Sequence, residues 1–264
     1  MRITQTGNVV SVYLDLSKPD WNNPLLLTSD WHWDSTLCQR ELLYRHLDRG
    51  KKCNARVIIS GDANDLMQSM HDKRRSLDEL RIEYKGTNYL DTIENDMLLQ
   101  LSPYARSILV WGMGNHETSL LRHNSTNFVD RMTRRLNETC KANILPCGYG
   151  GWIRFLITRR GNPHGSFTLH YHHGYGGTNA PVTRGVIQTN RQAVIWPDAS
   201  IVHNGHNHQE YCVAIPRERI SNKGTPYQDL QWHIRTPGYK SSLGQPSGFD
   251  VEKFPEPTPL GSVL

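Results

Sequence analysis

At 264 residues the chain is long enough to bury one large core or two small ones. Apolar residues make up 37% and charged residues 21%, which excludes a disordered chain and marks a soluble globular one. The formal charge of +5 and pI of about 9.0 suit an anionic substrate but do not by themselves mark a nucleic-acid-binding module, and no RNP, zinc-finger or helix-turn-helix pattern is present. The five cysteines Cys38, Cys53, Cys140, Cys147 and Cys212 are odd in number and lack CxxC spacing, which predicts neither a disulfide framework nor a structural zinc site. Arg2 is not followed by an apolar h-region, and no run approaches the ~18 apolar residues of a membrane span. The expectation is a cytoplasmic chain with no membrane partner.

Short apolar runs predict buried strands at Leu25-Leu26-Leu27, Val57-Ile58-Ile59, Ile108-Leu109-Val110, Trp152 to Ile157, Phe167 to Leu169 and Ile201-Val202. Between them lie predicted helices. Ser35 to Arg49 carries a capping serine and the i, i+4 pairs Cys38/Leu42 and Leu43/Leu47. Asn64 to Tyr84 and Leu90 to Leu101 read as helical, separated by Gly86 and Asn88, and Thr118 to Thr139 places Leu120, Leu121, Phe128, Met132 and Leu136 on one stripe. Lys73-Arg74-Arg75 and Arg134-Arg135 read as solvated helix faces. Strands alternating with helices, then strand-rich sequence from Trp152, predict an α/β domain over residues 1–241 with mixed sheets. Residues 242–264 are rich in Pro and Gly and read as a loop-rich surface tail.

Thirteen histidines direct attention to metal chemistry. Five of the six predicted strands run straight into a group of metal-type residues, and in open α/β sheets sites form beyond the carboxyl ends of strands. Asp30-Trp31-His32 follows the first strand, with two ligand types on one face. Gly61-Asp62-Ala63-Asn64-Asp65 follows the second; Gly61 allows a sharp turn, and a carboxylate such as Asp62 has two oxygens with which to bridge two cations. Gly114-Asn115-His116-Glu117 follows the third, with a neutral carbonyl donor in Asn115 and a proton donor in His116. His170-Tyr171-His172-His173-Gly174 follows the fifth; alternation puts His170 and His172 on one face and His173 on the other. Gly205-His206-Asn207-His208 follows the sixth and delivers two imidazoles, while His203 reads as structural. Taken singly, each motif also reads as a turn, a helix cap or a surface cluster. Their order and common placement set them apart.

That series, D-x-H, G-D-x-x-D, G-N-H-[DE], His-Gly and G-H-x-H, resembles the calcineurin-like metallophosphoesterase superfamily over about residues 25 to 210. The resemblance implies a four-layer α/β/β/α sandwich with two divalent metal ions, Mn foremost and Fe, Zn or Ni as alternatives. It implies that Asp30, His32 and His208 hold one ion and Asn115, His173 and His206 the other, with Asp62 bridging. It further implies that His116 is a general acid or phosphate donor oriented by Asp65. His172 competes with His173, and the family's placement of the ligand directly before Gly favours His173.

The implied activity is hydrolysis of a phosphate ester by a metal-bridging hydroxide. The protein-phosphatase branch reads G-D-x-V-D-R-G and R-G-N-H-E, whereas Leu66 and Met113 stand here where its two arginines stand. Without those cations a phosphodiester, in a nucleotide or nucleic acid, becomes the expected substrate; Arg122, Arg184 or Lys240 remain sources of a cation. Hydrolysis of a small phosphomonoester, or a catalytically silent metal-binding scaffold, are the alternatives. Oligomeric state is not legible in the motifs.

Overall fold

The computed structural model describes residues 2–16, 22–68, 72, 77–174, 186–245 and 258–264, and of residues 186–190 the backbone alone. Eleven strands and five α-helices are present among them. In chain order they are β1 (Arg2–Thr6), β2 (Val9–Asp15), β3 (Leu25–Thr28), α1 (Arg40–Lys52), β4 (Arg56–Ile59), α2 (Tyr89–Leu101), β5 (Ile108–Trp111), α3 (Asn115–Asn124), α4 (Phe128–Cys140), β6 (Leu145–Pro146), β7 (Gly150–Arg159), β8 (Asn162–His172), α5 (Val186–Ile195), β9 (Ile201–Asn204), β10 (Tyr211–Ile220) and β11 (Pro226–Arg235).

The strands form two sheets. A seven-stranded mixed sheet has the order β1-β2-β7-β8-β9-β11-β10, and a four-stranded sheet has the order β3-β4-β5-β6. Every pairing among the four strands of the smaller sheet is parallel, so of the two mixed sheets expected, one is mixed and one parallel. The reason is connectivity: each step between its strands passes through a helix, and a crossover of that length returns the chain in the same direction.

Alternation within the smaller sheet builds two cores. Leu26, Val57 and Ile59 alternate to one side and, with Ile108 and Trp111 of β5, where strict alternation is broken, pack with Leu43 and Leu47 of α1, Ile93, Met97 and Leu101 of α2, and Phe128, Met132 and Leu136 of α4. Leu27, Ile58, Leu109 and Val110 pack with Val10, Val12, Ile153, Phe155, Leu169 and Tyr171 of the larger sheet. The smaller sheet is therefore covered on both faces, which is why its strands read as continuous apolar runs. Each fully buried Leu or Ile side chain stabilises the fold by roughly 1.5–3 kcal/mol.

All six predicted strands are present within longer or shifted bounds, and α2 matches its predicted helix to within a residue. Other expectations need correction. Ser35 does not cap a helix: residues 35–38 are held by the Ser35–Leu80 and Cys38–Lys240 bridges, and α1 begins at Arg40. The predicted helix Thr118–Thr139 is two helices, broken at Ser125 with φ of 50° and restarted where the Asn127 side chain accepts from Asp130 N at 3.0 Å.

The predicted helix Asn64–Tyr84 is absent from its described residues, apart from a single turn at Ile82–Tyr84, and residues 69–71 and 73–76 lie outside the description. Leu66 stands at φ of 49°, outside the right-handed helical region, and Asp34 holds the turn there by accepting from Asp65 N at 2.6 Å and Leu66 N at 3.1 Å. The tail does not simply lie on the surface: Val263 exchanges two backbone hydrogen bonds with Leu27 at the edge of the smaller sheet, and Gly261 N donates to Gly238 O at 2.7 Å. No helix among the described residues is long and apolar enough to cross a membrane.

Candidate metal centre

The loops that follow β3, β4, β5, β8 and β9 meet at one edge of the two sheets. They are tied to one another by backbone: Asp30 N donates to Gly61 O at 3.0 Å, His32 N to Asp62 O at 3.2 Å, and Gly205 N to His173 O at 2.8 Å. Two glycines allow the approach. A Cβ on Gly114 would stand 2.0 Å from Asp62 Oδ1, and one on Gly205 would stand 2.5 Å from Asp30 Oδ2. The turns are tight enough to hold Asp30, His32, Asp62, His206 and His208 at positive φ, between 49° and 74°. That region is uncommon outside glycine and collects at functional sites.

Three groups of ligand-type atoms result, each within 4.8 Å: Asp30, His32 and His208; Asp62, His173 and His206; and His32, Asp65 and His116. Asn115 Oδ1 joins the second group, 3.2 Å from His173 Nε2. The structure thus brings together Asp30, His32, Asp62, Asp65, Asn115, His116, His173, His206 and His208. It also separates the two competing histidines. His173 is fully buried in the second group, whereas the His172 ring lies 5.9 Å from the Trp196 ring and accepts from Gly174 N at 3.1 Å. Tyr175, Gly176 and Gly177, which complete the predicted glycine turn, lie outside the described residues, as do Lys73, Arg74, Arg75 and Arg184.

The hydrogen bonds fix which atoms face inward. His32 Nδ1 bonds Asp65 Oδ1 at 2.6 Å, leaving Nε2 directed at His208 Nε2 at 3.2 Å. His173 Nδ1 donates to Ser60 O at 2.9 Å, leaving Nε2 3.2 Å from Asn115 Oδ1 and 3.0 Å from Asp62 Oδ2. With its Nδ1 proton committed, His173 turns an Nε2 lone pair toward the Asp62 carboxylate, which can only accept, and that contact requires a shared cation or an extra proton; His32 Nε2 likewise accepts, from the facing His208 nitrogen or from a cation. Asp30 Oδ1 adds to the demand: it is buried, accepts no hydrogen bond, and lies 3.9 Å from His173 Nε2 and 3.8 Å from His208 Nε2.

The proton equilibria follow. Burial alone would lower His32 and His173, but Asp65 beside the first and Asp62 beside the second override it and raise each imidazole to about 9. Burial would raise Asp62, yet His173 and His116 hold it well below the usual carboxylate range. Asp65 is likewise held low against burial by Lys240 and His32. A buried set that attracts surplus protons at neutral pH has the charge balance of a cation site, and its oxygen and imidazole donors are of the kinds that hold metal ions.

Asp65 takes a different part from the one the motif implied. Its carboxylate orients His32, and only its main-chain oxygen meets His116, accepting from Nδ1 at 2.6 Å. His116 Nε2 then faces the cluster, 3.8 Å from Asp62 Oδ2. Lys240, one of the predicted cations, lies 3.7 Å from Asp65 Oδ2 and 2.9 Å from Glu79, so its charge is engaged in positioning; Arg122 is exposed on α3.

Two supporting residues escaped the sequence reading. Glu117 accepts from Asp62 N, Ala63 N and Gly114 N at 3.0, 2.8 and 2.8 Å, clamping the second motif to the third, and burial beside Asp62 raises it to about 7. Asp34 does the same for Asp65 and Leu66. Its signal lay in the alternation Asp30-Trp31-His32-Trp33-Asp34, in which both tryptophans are fully buried. No protein-family model matches the chain, and neither does any curated protein.

Proposed function

We propose that the chain is a dinuclear metal-dependent phosphoesterase of the calcineurin-like metallophosphoesterase kind, hydrolysing a phosphodiester. The observation that carries this reading is the pairing of two groups of ligand-type atoms, Asp30/His32/His208 and Asp62/His173/His206 with Asn115, gathered from five loops and facing one another at one edge of the sheets. Fold-level support comes from the two face-to-face sheets with helices on one outer side. Trp196, directly after α5, stacks on His170 of the larger sheet at 4.0 Å between ring centroids, which supports a helical fourth layer and the full α/β/β/α sandwich. Five free thiols suit a reducing compartment and hence a cytoplasmic protein.

Two divalent ions held by these residues supply Lewis acidity: they neutralise charge on a phosphoryl group and make a water nucleophilic near neutral pH. The chain's own residues do the rest. Asp65 and the Ser60 carbonyl fix the ring orientation of His32 and His173, so that Nε2 is the donor in each. His116 is held through Nδ1 by the Asp65 carbonyl, so that a second proton, when the ring carries one, sits on Nε2, the atom facing the cluster. That proton is placed to reach the leaving oxygen of an ester. Buried walls, with Asp30, Asp62 and His173 at most 2% exposed, exclude bulk water and strengthen every charge interaction there. The diester preference rests on Leu66 and Met113, which stand where the protein-phosphatase branch carries its two arginines.

The test combines metal analysis with turnover of bis- and mono-nitrophenyl phosphate in Mn²⁺. Two ions per chain and chelator-sensitive diester hydrolysis are expected. Loaded protein that cleaves neither ester overturns the reading, and cleavage of the monoester alone transfers it to phosphomonoesters.

A further inference from the structure

Asp30 is the one candidate ligand whose two oxygens are treated in opposite ways. Oδ1 accepts no hydrogen bond, while Oδ2 accepts from Ser29 Oγ, in a short contact, and from His206 N at 2.9 Å. Behind Ser29 the bonds continue into the protein: Ser29 Oγ meets Thr236 Oγ1 at 2.6 Å, and Thr236 Oγ1 meets His203 Nε2 at 3.2 Å. Ser29, Asp30, Thr236 and His203 are all fully buried, so water is no substitute partner.

Counting protons gives this chain a direction. Ser29 has one hydroxyl proton, and the carboxylate, an acceptor only, takes it. The Ser29–Thr236 bond then needs the proton of Thr236, which prefers this 2.6 Å partner to the Asn204 carbonyl at 3.4 Å. Thr236 has no proton left for His203, so His203 must donate from Nε2. Its Nδ1 is buried without a hydrogen-bond partner, as an unprotonated nitrogen can be at modest cost and an N–H cannot. Burial also lowers this imidazole to about 3, consistent with a single ring proton.

We infer that His203, Thr236 and Ser29 form a directed hydrogen-bond chain, His203 Nε2–H to Thr236 O–H to Ser29 O–H to Asp30 Oδ2, that pins Asp30 with Oδ1 turned to the metals and so sets affinity at the Asp30/His32/His208 site. These are positioning residues, and none of the three touches the donor cluster except through Asp30. Successive donors in a low-dielectric interior polarise one another, so the chain stabilises the carboxylate more than Ser29 alone. Outer partners of metal ligands act in this way, and their loss costs ~10–100-fold in metal affinity. The metal part of the inference rests on the function proposed above; the direction of the chain does not.

The experiment therefore has two arms. In metal-free, ¹⁵N-labelled protein, long-range ¹H–¹⁵N correlation reads the His203 tautomer. An Nε2–H ring is expected, and an Nδ1–H ring overturns the chain whatever the metal content. In the second arm, Mn²⁺ is titrated calorimetrically into wild type, Thr236→Val and Thr236→Ser. The valine is expected to weaken one of two sites by ~10–100-fold and the serine to restore it. Should the valine variant fail to fold, Ser29→Ala cuts the same chain one link nearer the metal. A variant that loses thermal stability but binds both ions with wild-type affinity overturns the positioning role. Wild type that binds no Mn²⁺ while showing the Nε2–H tautomer overturns the dinuclear function and the affinity role together, leaving the chain's direction intact.

Discussion

His32 and His173 are buried to the same degree as His170, His203 and His233, with exposures of 3% and 0% against 6%, 0% and 0%. Their acid–base behaviour is opposite. The first two are raised to about 9; the other three are lowered to about 4, 3 and 4. Burial pushes all five down, and what separates them is company. Asp65 lies 2.6 Å from His32 and Asp62 3.0 Å from His173, whereas His170 stacks on Trp196, His233 bonds Gln231 at 3.1 Å, and His203 reaches Asp30 only through two hydroxyls. A buried histidine is thus not a ligand by virtue of burial. A buried histidine against a carboxylate, with its other nitrogen already committed, is prepared for a cation.

That contrast can be broken most forcefully at Asp62. Asp62→Ala is expected to remove the charge that holds His173 and to abolish turnover with loss of bound metal; retained activity at full metal content would refute its role as a ligand. His116→Ala is next. Both ions are expected to remain while turnover falls ~10²–10⁴-fold, the range for general acid–base catalysis, and a wild-type rate removes the assignment.

Glu117→Gln turns an amide N–H₂ toward three backbone donors that a carboxylate now satisfies. A loss of ~1–3 kcal/mol is expected in denaturant unfolding of the chelated protein, and an unchanged midpoint would show that the clamp does not matter. The pH dependence is smaller. A histidine raised in the folded state stabilises it fully below its free value of 6.5 and loses that contribution as pH rises through about 9. Chelated protein is therefore expected to melt at progressively lower temperature from about pH 7 to 9, and metal-loaded protein is not. Parallel melting curves with and without metal would contradict it. Last, His170→Phe keeps the stack on Trp196 and is expected to leave metal content and turnover unchanged; loss of either would erase the distinction between the two histidine classes.

The parts of the molecule legible in its sequence were those where one local pattern sufficed. β3, β4 and β5 were visible because both faces are buried and no polar residue interrupts them. The five ligand segments were visible because each follows such a strand. β10 and β11 were missed because Arg217, Glu218, Arg219, Gln228 and Asp229 break their alternation; at the sheet's end these side chains meet one another, as Arg217 does Asp229 at 2.8 Å, and not a core.

The region after Asp62 was misread for another reason. Its composition favours a helix, but the fold holds Leu66 at φ of 49°, in a turn that Asp34, distant in sequence, fixes through the amides of Asp65 and Leu66. Asp65 meets the His116 ring as expected but through its main-chain carbonyl, and only the folded chain shows that its carboxylate goes to His32. The chain through Ser29 and Thr236 had no signal at all, being made of two common residues 207 positions apart.

The left-handed turns at Asp30, His32, Asp62, His206 and His208 carry a consequence for how such a protein would decay or be engineered. Each holds a side chain where an L-residue costs roughly 1–2 kcal/mol and glycine costs far less. A lineage released from selection on activity would drift toward glycine at these five positions, becoming sturdier without metal as it lost the capacity to bind one. A search for thermostable variants that ignored activity would be drawn to the same substitutions. These five candidate ligands sit in conformations that backbone energetics alone would not have chosen.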